Sequence, residues 1–234
     1  MSSSPADMLD LQTGGKEIST KKLENVWRSI RKWEKCNDCP LIRKEPPLIM
    51  KINRPINVKV MVITEGPNKK EKKKHIASFG NHPTYTFLYT LFSGNAKFIG
   101  EEANVYWTHA RKCFLSNEEN KKKEGKKALK LCRKYYLGEE IKALKPNIIV
   151  GVGGEALKFF QQRDPRLKNG GLKRIVFHSK EEGIFKNVRF NDLCFTLVVL
   201  PHPSGLNRIW VNLPANAYDV LEEIRRTLNR SLRE

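Results

Sequence analysis

Four cysteines carry the strongest chemical signal in the sequence: Cys36, Cys39, Cys113 and Cys132. The first two form a C-x2-C pair in "EKCNDCPL"; the others stand singly in "ARKCFL" and "LKLCRKYY". A close pair plus two distant single thiols suits a four-thiolate site assembled across a fold. Such a site ties the N-terminal part of the chain to its middle. In a reducing compartment, clustered cysteines favour metal over disulfides.

Two further segments hold residue types that can do chemistry. "ITEGPN" ends an apolar run with Glu65, then Gly66 and Pro67. The glycine allows close backbone approach to a ligand, and neighbouring N–H groups can face an acceptor. A carboxylate there can orient water or face a developing cation; the same residues also suit a plain turn with an exposed glutamate. "LPHPSGLNRIW" holds His202 between Pro201 and Pro203, which restrict the backbone around the imidazole. Ser204, Asn207 and Arg208 can reach phosphates, and Leu206 is an apolar side chain in a polar loop, as a wedge into a base stack requires. The bland alternative has Leu206 and Trp210 packing into the core and an incidental histidine.

These groups need a scaffold. The chain has 234 residues, of which 39% are hydrophobic, enough for one sizeable α/β domain with its own core. Residues 1–20 read as a disordered leader and 21–234 as a single domain. No apolar run reaches the roughly 18 residues of a membrane span. The start, "MSSSPADMLDLQTGGKE", lacks the apolar segment of a signal peptide. A cytoplasmic monomer is expected. Lys+Arg 44 against Asp+Glu 25 leaves a net charge of +19, concentrated in "KKEKKK" (69–74) and "KKKEGKKALK" (121–130). Such runs form solvated loops or helix faces, but a surplus this large also attracts a polyanion, most simply nucleic acid.

Periodicity places the elements. Residues 20–35 read as a helix leading to the C-x2-C pair, with Leu23, Val26, Trp27 and Ile30 at helical spacing. Strands are expected over 56–63, 104–110, 147–153, 172–178 and 194–201. Helices are expected over 86–92, 126–144, 154–162 and 214–232, the second ending before Pro146. Strands alternating with helices imply a mostly parallel sheet covered on both faces. Ligands bind at the carboxyl ends of such strands, which is where "TEGPN", "THARKC" and "PHPSGLNR" fall.

In order along the chain, "CNDCPL", "EGP" after a strand, a Phe-Gly, "VYWTHARKC", "KPNIIVGVGGEAL" and "HPS" resemble the uracil-DNA glycosylase superfamily. The four cysteines make the resemblance one to its iron–sulfur branch, family 4 and its relatives. The resemblance implies a three-layer α/β/α fold with a mostly parallel central sheet. It implies a monofunctional DNA glycosylase that flips out and excises uracil or another deaminated or damaged base. Cys36, Cys39, Cys113 and Cys132 match the ligands of a 4Fe–4S cluster; zinc fits the same ligand set. Cys194, in an apolar strand, reads as a core residue. Glu65 and Gly66 match the first motif, Phe79 the aromatic that stacks on the extruded base, His202 the histidine of the last motif and Leu206 its DNA-penetrating loop.

The second motif of family 4 reads T-N-x-x-K-C, and its asparagine reads the Watson–Crick edge of uracil. Here it reads Thr108-His109-Ala110-Arg111-Lys112-Cys113, with His109 at the base-reading position. Asparagine presents a donor and an acceptor together, whereas neutral imidazole carries one of each on opposite ring edges. The stretch after Phe79, "FGNHPTYTF", also departs from the family pattern. These changes fit a different damaged base. They also fit a catalytically weak or inactive iron–sulfur module that recognises damaged or single-stranded DNA. An unrelated metal-stabilised α/β enzyme acting on a nucleotide or phosphate ester is a third class.

Overall fold

In the computed structural model, residues 21–42, 44, 46–49, 58–68, 83–96, 104–116, 118, 122–168, 170–203, 209–210 and 212–233 are described. Four strands run parallel: β1 (Val60–Thr64), β2 (Val105–His109), β3 (Ile148–Val152) and β5 (Leu193–Leu200). β4 (Ile184–Phe190) pairs antiparallel with β5, and the sheet order is β2-β1-β3-β5-β4. Every residue of β1, β2 and β3 is buried; β1 and β3 read as continuous Val- and Ile-rich runs, whereas β2 is Val-Tyr-Trp-Thr-His. Helices cover the sheet in a three-layer α/β/α arrangement. They are α1 (21–31), α2 (Pro83–Leu91), α3 (Lys123–Cys132), α4 (Gly138–Leu144), α5 (Gly154–Gln161), α6 (Leu172–Phe177) and α7 (Ala217–Arg233). A π turn over Arg133–Leu137 joins α3 to α4. No helix among the described residues is long and apolar enough to cross a membrane.

Register aligns the ends of the parallel strands. Thr64 pairs with His109, and Val152 pairs with Leu200. Glu65, Ala110, Gly153 and His202 therefore follow their strands along one edge of the sheet. The chain places β2 on one side of β1 and β3 on the other, so the topological switch point lies between β1 and β3, where α/β sheets open a crevice. Gly153, at φ +86, turns the chain from β3 into α5, and its N–H donates to the Leu200 carbonyl at 2.8 Å.

Three sequence expectations are corrected. The expected strand over 172–178 is a helix, Leu172–Phe177: the β-branched pair Ile175 and Val176 reads as strand, yet Leu172, Ile175 and Val176 stand at helical spacing, and the latter two are buried. The partner of β5 is instead Ile184–Phe190, whose exposed Lys186, Asn187 and Arg189 make it look like loop. It is an edge strand with one wetted face and a register shift between Phe185 and Val188, where Asn187 takes φ +58. Cys194, expected in the core, is exposed on β5, because its neighbour β4 leaves that face open.

A buried polar network fixes the end of β2. Lys112 is 2% exposed, and its ammonium donates to Thr108 Oγ1 at 2.6 Å, the His109 carbonyl at 2.7 Å and Glu140 Oε2 at 2.5 Å. An ammonium has three N–H donors, so these three acceptors saturate it. Glu140, in the first turn of α4, also accepts from Tyr106 Oη at 2.7 Å and from Thr108 Oγ1 at 3.0 Å. Tyr106 in turn accepts from Trp27 Nε1 of α1 at 3.1 Å. Burial, then the Glu140 charge, push the Tyr106 phenol well above its ordinary pKa, so it stays a donor. Glu140→Ala leaves Lys112 buried without its counter-charge and is expected to cost about 3–5 kcal/mol. Lys112→Met with Glu140→Leu removes both charges and is expected to restore most of that loss; denaturant unfolding of the two variants measures the difference.

Candidate functional site

The carboxyl edge of the sheet gathers four of the residues singled out by sequence. Glu65 and Gly66 follow β1, His109 ends β2, and His202 follows β5. Neighbouring strands lie about 4.8 Å apart, so the backbones that carry Glu65 and His202, two strand spacings apart with the end of β3 between them, are separated by about 10 Å. The loop after β1 is held by main-chain bonds to the segment after β2: Ala110 N–H donates to the Thr64 carbonyl at 2.7 Å and Arg111 N–H to the Glu65 carbonyl at 2.9 Å.

Gly66 is required by a close approach. A Cβ there would lie 2.6 Å from Arg111 Nη2, inside contact distance. Arg111 is 2% exposed and its Nε donates to the Cys113 carbonyl at 2.9 Å. Its guanidinium thus spans from the glycine of the first motif to the third cysteine. His109, 5% exposed, has Nδ1 2.6 Å from Thr64 Oγ1. His202 is half-buried, with Nε2 3.4 Å from Thr84 Oγ1 of α2, while its carbonyl accepts from Trp210 Nε1 at 2.9 Å. Trp210 packs edge-on against Phe87, ring centroids 5.1 Å apart, which anchors the chain beyond the loop to α2. Phe79, Ser204, Leu206, Asn207 and Arg208 lie outside the described residues.

The four cysteines also come together. Cys36, Cys39, Cys113 and Cys132 are all buried and line one cavity with Trp33, Tyr136 and Lys112. The isolated bridge between Pro47 and Cys113 and the Leu48 N–H bond to the Lys112 carbonyl, 2.8 Å, seat the N-terminal segment against the end of β2. Burial pushes the Cys113 thiol up, the nearby Cys132, Cys39 and Cys36 adding to it. Burial likewise raises Cys132 to about 11, against the opposing Lys112 main-chain hydrogen bond and charge. Burial raises Cys36 as well, opposed by its hydrogen bond with Tyr136, 3.4 Å long. Four buried sulfurs lining one small cavity have the donor chemistry of a cation site. Trp33 adds a donor that is buried without a hydrogen-bond partner among the described residues, its Nε1, and its backbone takes φ +51, uncommon for a bulky residue. No group of three or more His, Cys, Asp or Glu side chains among the described residues is spaced to hold one metal ion.

The positive charge has a structured part beyond the two lysine runs. Lys130, Arg133, Lys134, Lys158, Arg163 and Lys168 line an open groove along α3 and α5, floored in part by Phe159. Glu155 pairs with Arg133 at 3.1 Å and with Lys158, offsetting part of this charge. Of the 121–130 run, Lys130 borders the groove and Lys123, Lys126 and Lys127 are exposed on α3. The 69–74 run lies outside the described residues.

Sequence reasoning does not single out Thr64, Thr84, Arg111, Lys112 or Glu140. Lys112 and Arg111 are legible as neighbours of a ligand-type cysteine. Glu140 is not, since "GEE" at a helix start looks like an ordinary solvated first turn.

The model of the Uracil DNA glycosylase superfamily matches residues 51–228. The match covers the whole central sheet and most of α7, so the chain belongs to this superfamily. A search of the curated proteins returns no match.

Proposed function

We propose that this protein is a DNA glycosylase that flips a deaminated or damaged base out of DNA and hydrolyses its N-glycosidic bond. The observation that carries this reading is the placement of Glu65 and His202 on opposite sides of the switch point, within a superfamily whose members act on this bond. Bond breakage develops an oxocarbenium-like sugar and an anionic base. The two charges need opposite partners on opposite sides of the scissile bond. Glu65 faces the sugar cation and orients water. His202 donates to the base oxygen that gathers negative charge, with main-chain N–H groups around Gly66 as further donors. Thr84 and Trp210 hold His202 from its ring and from its carbonyl. Phe79 stacks on the extruded base and Leu206 fills the gap left in the duplex, offsetting a flipping cost of a few kcal/mol. Ser204, Asn207 and Arg208 contact the flanking phosphates.

Cys36, Cys39, Cys113 and Cys132 would hold a 4Fe–4S cluster. Zinc fits the same four sulfurs; the cluster is preferred because the cysteine pattern resembles that of the iron–sulfur branch. Lys112 and Arg111 beside the sulfurs offset thiolate charge, and the Trp33 N–H is a ready donor to sulfur. The cluster's role is structural, bracing the segment that carries His109.

Glu65→Ala and His202→Ala are each expected to lower base excision by about 10²–10³ while DNA binding survives. Alkali cleavage of oligonucleotides containing uracil, hypoxanthine, xanthine or mismatched thymine measures excision, and an electrophoretic shift measures binding. Binding without release of any base by the wild type would support the non-catalytic module instead. For the cluster, iron and acid-labile sulfide are expected in the purified brown protein and absent from Cys113→Ser; zinc in place of iron overturns the assignment. Replacing Lys126, Lys127 and Lys130 by glutamine is expected to flatten the salt dependence of DNA binding, by about 0.9 in slope for each phosphate no longer neutralised. An unchanged slope returns the run to a solvated surface.

A further inference from the structure

Tyr136 is 2% exposed, and its phenol oxygen lies between two groups, the Lys35 N–H at 3.1 Å and the Cys36 sulfur at 3.4 Å. A main-chain N–H can only donate, so the phenol oxygen accepts from Lys35. Its own proton is left for Cys36. A metal-bound cysteine is a thiolate and has no proton to offer, so in the loaded site the phenol is the donor. Helix geometry supplies this contact. α3 ends at Cys132, and the π turn Arg133–Leu137 follows directly. Single π turns within helices recur at functional sites. Here the turn sets Tyr136 on the wall of the cavity that Cys132 shares with Cys36 and Cys39. The segment that brings the fourth cysteine thus also brings a donor to the first, 100 residues away.

We infer that Tyr136 tunes the group held by the four cysteines: its hydroxyl donates to the Cys36 thiolate, draws negative charge off that sulfur and so raises the reduction potential of the site. This rests on the reading of Cys36, Cys39, Cys113 and Cys132 as ligands of a 4Fe–4S cluster. The potential of such a cluster is set in part by hydrogen bonds to its sulfurs. A donor stabilises most the state that places more negative charge on the sulfur, which is the reduced one. Tyr136 and Cys36 sit in one apolar cluster with Ile30 and Leu41, where the bond is little screened. Tyr136 acts through Cys36 and meets neither the iron nor the DNA.

Tyr136→Phe keeps the ring and removes the hydroxyl. Tyr135→Phe, at the next position, whose hydroxyl meets Lys134 instead, is the control. Redox titration of the iron-loaded full chain, followed by electron paramagnetic resonance, is expected to give a more negative potential in Tyr136→Phe and an unchanged one in Tyr135→Phe, with iron and acid-labile sulfide per chain unchanged in both. Resonance Raman provides a second measurement that needs only the wild type. Its Fe–S(Cys) stretch is expected to differ between protein loaded in H2O and in D2O, and Tyr136→Phe is expected to lose part of that difference. An unchanged potential in Tyr136→Phe, an equal shift in both variants, or a wild-type stretch indifferent to D2O overturns the inference. If Tyr136→Phe no longer retains iron, the wild-type D2O difference decides. A wild type that purifies with zinc and no iron ends the cluster reading and this inference with it, whereas iron with an unchanged potential ends this inference alone.

Discussion

A buried ammonium organises this molecule. Lys112 sits almost wholly out of water at the end of β2, where an unpaired charge would cost several kcal/mol. Its stability there depends on three acceptors from different places: the Thr108 hydroxyl, the His109 carbonyl and the Glu140 carboxylate. Those requirements bring α4 down onto β2 and, through Tyr106 and Trp27, bring α1 with it. Main-chain groups of the same residue hold the N-terminal segment through Leu48 and touch the Cys132 sulfur. One side chain thus fixes the distance between the cysteine cavity and the carboxyl edge of the sheet.

Arg111 makes a second link between the same two places. Its guanidinium lies where a side chain at position 66 would otherwise go, and it also bonds the Cys113 carbonyl. The absence of a side chain at position 66 therefore leaves room for a buried cation. On the proposed function this gives the thiolate site a mechanical purpose. A group held by the four cysteines would order Arg111 and Lys112, which in turn contact Gly66 and the His109 carbonyl. The chemistry itself needs no electron to pass along that path.

The strong positive charge is distributed by the fold into surfaces of different kinds. Arg111 and Lys112 are interior, held by carbonyls, a carboxylate and neighbouring sulfurs. Lys130, Lys134 and Lys158 are on a groove wall, where screening by salt is strong and a phosphate backbone could approach. Counting charges cannot separate these two populations, and only the second can attract a polyanion.

What the residues determine by themselves is local. Apolar runs and helical spacings locate β1, β2, β3, β5 and most of the helices around them, because burial on both sheet faces writes itself into sequence as short runs dominated by β-branched, aromatic and other apolar residues. The order of the motifs is enough to indicate the superfamily, and Glu65, His109, His202 and the cysteines are legible because their types are chemically conspicuous. Residues 172–178 and 184–190 mislead because β-branched residues occur in short buried helices and an edge strand needs only one apolar face. Tertiary structure alone decides that Glu140, far along the chain from Lys112 and unremarkable in its helix, is that residue's counter-charge. It alone brings Thr64 of β1 to the ring of His109 on β2, since strand register, which depends on packing across the whole sheet, is not encoded in either segment taken alone.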